Sequence, residues 1–192
     1  MSESTDLPIS RFPVPDLADL PDDIRQRIEA VSEKTGFIPN VFLVLAHRPD
    51  EFRAFMAYHD ALMERDCGLT KGERELIVVA TSARNNCLYC VVAHGAIARI
   101  RMKNPRIADQ VALNPSTAEL TDRQRAMLAF ALKVAERADE LVDADYESLR
   151  GHGFTDDDIW DIGAVASFFA MSNRMAHLTA MRPNDEFYAM GR

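Results

Sequence analysis

An all-α fold, with an extended arm over residues 1–21 and a single helical domain over residues 22–192, is predicted by three observations. From Asp22 onward the apolar residues recur at helical spacing. Alternating runs and β-hairpin dipeptides are missing, while Ala, Leu, Met, Glu and Arg are abundant. Three helix starts, finally, share one capping design built on threonine.

The arm comes first. Pro8, Pro13, Pro15 and Pro21 break any periodicity, so "ISRFPVP" reads as an extended segment whose anchors are Ile9, Phe12 and Val14. A frayed terminus is the competing reading. "DDIRQRIEAVSEKTG" then places Ile24, Ile28 and Val31 on one helix face and stops at Gly36. "IPNVFLVLAHRP" is a short apolar segment ended by Pro49. "DEFRAFMAYHDALME" carries a buried stripe of Phe52, Phe55, Met56 and Leu62. "LTKGE" and "LTDRQ" match a capping box, pairing Thr70 with Glu73 and Thr121 with Gln124. In "FTDDD", Asp158 stands at the third position after Thr155 and reads as a helix-dipole charge. Leu69, Leu120 and Phe154 precede these caps, where a hydrophobic staple sits. At typical helix lengths this amounts to roughly seven to nine helices.

The composition excludes several functions. With 192 residues and 47% hydrophobic content, the chain can bury a sizeable core. A formal charge of −8, with arginines scattered among acids, argues against nucleic acid as a partner. No run of about 18 apolar residues is present, so no membrane span is expected. The first residues lack a secretory profile, and a cytoplasmic, reducing location is the expectation. There, Cys67, Cys87 and Cys90 do not suggest a structural disulfide framework, and a close pair suggests redox or metal chemistry.

That pair lies in "NNCLYCVVAH". Asparagines are poor in helix interiors and good at caps, so a new helix is expected to start at Cys87 with Asn86 as its cap. Cys87, Cys90 and His94 then share one face, and the first-turn thiol feels the positive end of the helix dipole. On the dipole alone, Cys87 is the more acidic thiol. Glu75 falls on the same face of the preceding helix as Val78, Val79 and Ser82, and an inward carboxylate needs a partner. Carboxylate, imidazole and thiol together make a proton relay.

"ERELIVVATSARNNCLYCVVAHG" resembles the signature of the alkyl hydroperoxidase D-like proteins, in the carboxymuconolactone decarboxylase-like superfamily. Glu75, Cys87, Cys90 and His94 fill its spacing without a gap. "GFIPNVFLVLAHRPDEFRAF" and "FTDDDIWDIGAVASFFAMSNRMAH" are similar to flanking segments of the peroxidase-related branch, so the resemblance covers about residues 36–182. It implies an all-helical bundle that needs no cofactor and reduces a small hydroperoxide. In that scheme Cys90 attacks the peroxide, Cys87 resolves the sulfenic acid, and Glu75 with His94 takes the proton. A dithiol reductant or thioredoxin-like protein reopens the disulfide, and the chain forms a homo-oligomer. One departure stands out: Tyr89 occupies the position where the best-known members carry a histidine.

Three other readings compete with this one. A lyase or isomerase of the carboxymuconolactone type is disfavoured by the dithiol, which that branch generally lacks. A redox sensor without turnover has the same sulfur chemistry. A zinc site would use Cys87, Cys90 and His94 with Glu75 or Cys67, but no second ligand pair exists to complete the usual pattern. Cys67 reads as a bystander, and His47, His59 and His152 have no constellation in the sequence. His177, with Asn173 and Arg174 on one helix, reads first as a surface or interface group and second as lining the same cavity as the dithiol, and "ASFFAM" reads as core or subunit contact.

Overall fold

The computed structural model describes residues 7–192, so the first six residues of the expected arm lie outside the described residues. Among the described residues there are ten α-helices, two short 3-10 helices and no strand. In order, the helices are α1 (Asp22–Thr35), α2 (Asn40–Leu45), α3 (Pro49–Met63), α4 (Lys71–Arg84) and α5 (Leu88–Met102). They continue with α6 (Ile107–Leu113), α7 (Asp122–Arg137), α8 (Asp143–Gly151), α9 (Asp156–Thr179) and α10 (Glu186–Ala189). The count exceeds the expected range because α2, α6 and α10 have only 6, 7 and 4 residues, too short to show a period.

The predicted boundaries hold where cap chemistry marks them. α1 ends at Gly36, whose φ of 84° is the left-handed geometry that a side chain would strain. Pro49 opens α3 at a position that needs no amide donor. All three threonine caps close reciprocally, the third included. Thr155 N–H donates to Asp158 Oδ2 at 2.9 Å, and Asp158 N–H donates back to Thr155 Oγ1 at 3.2 Å. Asp158 is therefore a full capping-box partner rather than only a dipole charge. Leu69, Leu120 and Phe154 are buried at the staple positions.

Helix α4 is the centre of the molecule. Every residue from Gly72 to Ser82 is buried, and α5, α6, α7 and α9 all pack on it. A helix that is covered on all sides holds a polar group at least cost where that group has a partner. Glu73 meets this condition twice, closing the cap at Thr70 and pairing with Arg123 of α7. Arg123 in turn lies over the Phe154 ring at 3.8 Å, which ties the starts of α4, α7 and α9 together. At this same end of α4, a Cβ on Gly72 would stand 2.4 Å from Met102 Sδ at the end of α5, so glycine permits the close approach.

The arm is held by main-chain bonds. Arg11 N–H donates to Thr179 O at 2.7 Å, and Arg182 N–H donates to Ile9 O at 3.3 Å. Ile9 packs against the apolar cluster that contains Cys87, Tyr89, Cys90 and Met181. Phe12, by contrast, is partly exposed and tilts over His47, while Val14 is exposed. Of the three expected anchors, Ile9 alone inserts.

Candidate functional site

The turn between α4 and α5 places the dithiol. Asn85 ends α4, and Asn86 adopts a φ of 52°, a left-handed conformation that asparagine tolerates. Cys87 is itself the N-cap of α5, which begins at Leu88. The expected start was thus one residue early, because Asn86 terminates the first helix instead of capping the second. Cys87 N–H donates to Ser82 O at 2.9 Å, and its carbonyl accepts from Val91 N–H at 3.0 Å. Both cysteines are unbridged and buried, yet they stand at the positive end of the α5 dipole.

Their two protons are not equivalent. The neighbouring Cys90 thiol does most to hold Cys87 down, to about 6 from 9.0, against the opposing effect of burial. A Cys90 backbone bond, the His177 charge and the Asn173 side chain add to the lowering. Cys90 is pushed well up by the Cys87 thiol, by burial and by the neighbouring Cys87 charge. Asn173 and Ser172 pull it partly back. Cys87 is thus held down and Cys90 up, and the first ionisation of the reduced pair comes more readily than that of an isolated thiol.

One turn further along α5, the acid and imidazole meet as expected. His94 Nδ1 lies 2.8 Å from Glu75 Oε2, with both side chains largely buried. A neutral His94 donates Nδ1–H to that carboxylate, which leaves Nε2 as an acceptor. The Phe169 ring of α9 stands edge-on to the imidazole at 4.7 Å. Glu75, His94, Cys87 and Cys90 thus share one region, the first two joined directly and the last two joined to each other.

Tyr89 has a different place. Its hydroxyl accepts the Val41 N–H at 3.1 Å, satisfying a free amide in the first turn of α2. The adjacent Asn40 N–H goes to Asn184 Oδ1 at 2.8 Å. Burial raises the Tyr89 phenol above its ordinary range, so it stays protonated. The phenol caps α2.

Several residues gain a role that the sequence offered only as a second reading, for Asn173 and His177, or did not suggest, for His59. Asn173 is fully buried; its amide nitrogen donates to Ser82 Oγ at 2.9 Å and its oxygen accepts from Asn85 Nδ2 at 2.9 Å. His177 Nε2 reaches the Asn85 carbonyl at 2.8 Å, so His177 borders the dithiol rather than serving only as a surface group. His59, which had no visible constellation, pairs with Asp60 at 3.2 Å, and Asp60 is gripped by Arg27 at 2.9 and 2.8 Å. Burial and the His94 charge lower the His59 imidazole, and its ring stands 6.3 Å from Phe169. No spacing rule could have found these partners, which are far apart in the chain.

The remaining candidates stand apart. The Cys67 sulfur accepts from the buried Arg74 guanidinium at 2.7 Å and from Leu69 N–H at 3.3 Å, beyond the opposite end of α4. His47 lies under Phe12, and His152 Nδ1 is 2.7 Å from Ser148 O. Among the described residues, no group of three or more His, Cys, Asp or Glu side chains converges as a metal site would require. None of the described helices is long and apolar enough to cross a membrane.

Known proteins share this fold. The Carboxymuconolactone decarboxylase family matches residues 49–112. A solved structure described as an alkylhydroperoxidase AhpD core, an uncharacterized peroxidase-related protein from Ralstonia eutropha JMP134, is 69% identical. That similarity covers 97% of this chain and 98% of the other, with a TM-score of 0.96. An uncharacterized peroxidase-related protein from Silicibacter sp. TM1040 is 42% identical over 96% of each chain, with a TM-score of 0.91. The debrominase Bmp8, solved with 2,3,4-tribromopyrrole, shares 17% identity over 98% of this chain and 97% of its own. At a TM-score of 0.77, that likeness concerns the fold alone. No curated protein matches the chain.

Proposed function

The chain belongs to the AhpD-like, peroxidase-related proteins of the carboxymuconolactone decarboxylase superfamily, and from that membership we propose that it is a thiol-dependent peroxidase. The observation that carries the reading is a buried cysteine pair at the start of α5, one helical turn from a hydrogen-bonded carboxylate–imidazole pair.

The chemistry follows from who holds the protons. Cys90 must lose its proton before it can attack, and His94, fixed by Glu75, is the base placed one turn away. The Cys90 thiolate then attacks the terminal peroxide oxygen; an S–O bond forms, the O–O bond breaks, and the alkoxide leaves as an alcohol after taking a proton. Cys87 attacks the Cys90 sulfur. The disulfide forms, and hydroxide departs as water with a second proton. Two electrons have passed from the dithiol to the peroxide, and an external dithiol reductant or thioredoxin-like protein restores them. The buried second thiol intercepts the sulfenic acid before further oxidation.

A second order of events is favoured by one observation, the lowered Cys87, which makes it the better nucleophile at neutral pH. Single substitutions separate the two. Wild-type protein exposed to one equivalent of an organic hydroperoxide should lose two free thiols. Cys90→Ser should lose none, whereas Cys87→Ser should stop at a sulfenic acid on Cys90 that a dimedone probe traps. Trapping on Cys87 in the Cys90→Ser protein would reverse the roles. An unchanged thiol count in the wild type would end the peroxidase reading.

We propose further that the chain self-associates through the α3–α9 face. Tyr58, Met171 and Leu178 are exposed there around an apolar groove of about 570 Å³. Light scattering giving the monomer mass of 21.5 kDa would refute this.

A further inference from the structure

We propose that Asn173 is a positioning residue of the dithiol: its side-chain amide locks the α4–α5 turn to α9 and presents an N–H to the sulfur pair. The inference rests on reading Cys87 and Cys90 as the reactive dithiol, and it assigns to α9 a part in chemistry otherwise confined to α4 and α5.

The geometry is that of a fully satisfied amide. Asn173 lies in the middle of the 24-residue α9 and is wholly buried, a position where an unpartnered amide would be costly. Its oxygen accepts from Asn85 Nδ2, the residue that ends α4. One hydrogen of its nitrogen goes to Ser82 Oγ. The backbone carbonyl of the same Ser82 accepts from Cys87 N–H, so the amide grips the residue that holds the N-cap cysteine. The second hydrogen on Nδ2 has no oxygen partner among the described residues, and the Asn173 side chain is among the groups that lower both Cys87 and Cys90. Ser172, adjacent in sequence and also buried, acts on Cys90 in the same direction. A neutral donor suits this place. It stabilises an anion on either sulfur as charge moves between them, and it adds no fixed charge that would favour one redox state over the other.

An aspartate of the same shape would present acceptor oxygens and a negative charge to the same sulfurs, and this contrast makes the idea testable. The titratable groups around the pair are His177 on α9 and Tyr89 on α5, with His94 and Glu75 one turn beyond. All of them remain in the variants. The experiment is an ultraviolet titration of the thiolate in the full-length reduced protein, run without peroxide so that it stands apart from turnover.

Asn173→Ala should move the midpoint up by about one to two pH units, as expected for loss of a hydrogen bond to a charged group. Asn173→Asp should move it further in the same direction. Asn85→Ala loosens the same turn without facing the sulfurs; it should lower the melting temperature and leave the midpoint in place. Should Asn173→Ala fail to fold, Asn173→Ser and the unsubstituted protein decide. In the latter, the Asn173 side-chain amide resonances should titrate with the thiolate midpoint. Unmoved midpoints in the Asn173 variants, or amide resonances indifferent to thiol ionisation, would overturn the assignment. Peroxide consumption by the wild type, measured separately, judges the peroxidase reading on its own.

Discussion

The two ends of the site solve the same problem, a charge in a buried place, in opposite ways. At the relay end, the Glu75 carboxylate and the His94 imidazole share one hydrogen bond of 2.8 Å between adjacent helices, with the Phe169 ring beside them. At the dithiol end, among the described residues, Cys87 is held down by the Cys90 thiol and backbone, the His177 charge and the Asn173 side chain. A fixed carboxylate–imidazole bond holds one proton in place, whereas a set of mostly neutral donors allows charge to migrate between two sulfurs. Proton storage and charge mobility are thus kept one helical turn apart.

The largest expected effect comes from breaking the relay end alone. Glu75→Gln keeps the shape but removes the carboxylate that orients His94. Peroxide-driven loss of thiols should slow by roughly 10²–10⁴-fold in stopped-flow measurements. The thiolate titration should stay where it is in the wild type. If it shifts as much as in the Asn173 variants, the two ends are not independent and the contrast fails.

A smaller effect concerns stability and pH. Cys87 is lowered in the folded chain from 9.0 to about 6, so over that window the unfolded chain binds more protons. Stability should therefore rise with pH between roughly 6 and 9, and the contribution should vanish as pH falls through the lower value. Above 9.0 the raised Cys90 acts in the opposite direction, since the unfolded chain then ionises first. Urea titrations of wild type and Cys87→Ser across this range should diverge with increasing pH. Parallel curves would mean that the anion is not held by the fold.

The mildest change sharpens the comparison by touching neither end. Tyr89→Phe leaves the Val41 N–H without its acceptor, at a cost of about 1–2 kcal/mol. A fall of a few degrees in melting temperature is expected, with thiol oxidation close to that of the wild type. A large loss of peroxide reactivity would instead return Tyr89 to the proton path.

Legibility in the sequence followed distance along the chain. Glu75, Cys87, Cys90 and His94 lie on consecutive helices, where spacing alone fixes which faces meet, and the inward carboxylate found the predicted imidazole. The threonine caps were equally plain, although Asp158 completed a box that the rule assigns to longer side chains. Asn86 misled by one position, because a residue favoured at helix starts is also tolerated in the left-handed geometry that ends one. Asn173 and His177 reach the site across 88 and 92 residues, and the tertiary packing that brings them there leaves no periodic trace. Tyr89 could be recognised as a departure, but its partner on α2 could not be read from the chain.

The short pairing of the arm with the residues after α9 has one more consequence. Ile9 lies against the cluster that contains both cysteines, and among the described residues two main-chain bonds join this part of the arm to the end of α9 and the segment after it. Were this arm to screen the sulfurs, the observed rate of a bulky oxidant would be the intrinsic rate multiplied by the fraction of molecules with the arm released. Small and large oxidants would then be discriminated by breathing of the terminus, a kinetic filter that leaves the sulfur chemistry itself unaltered.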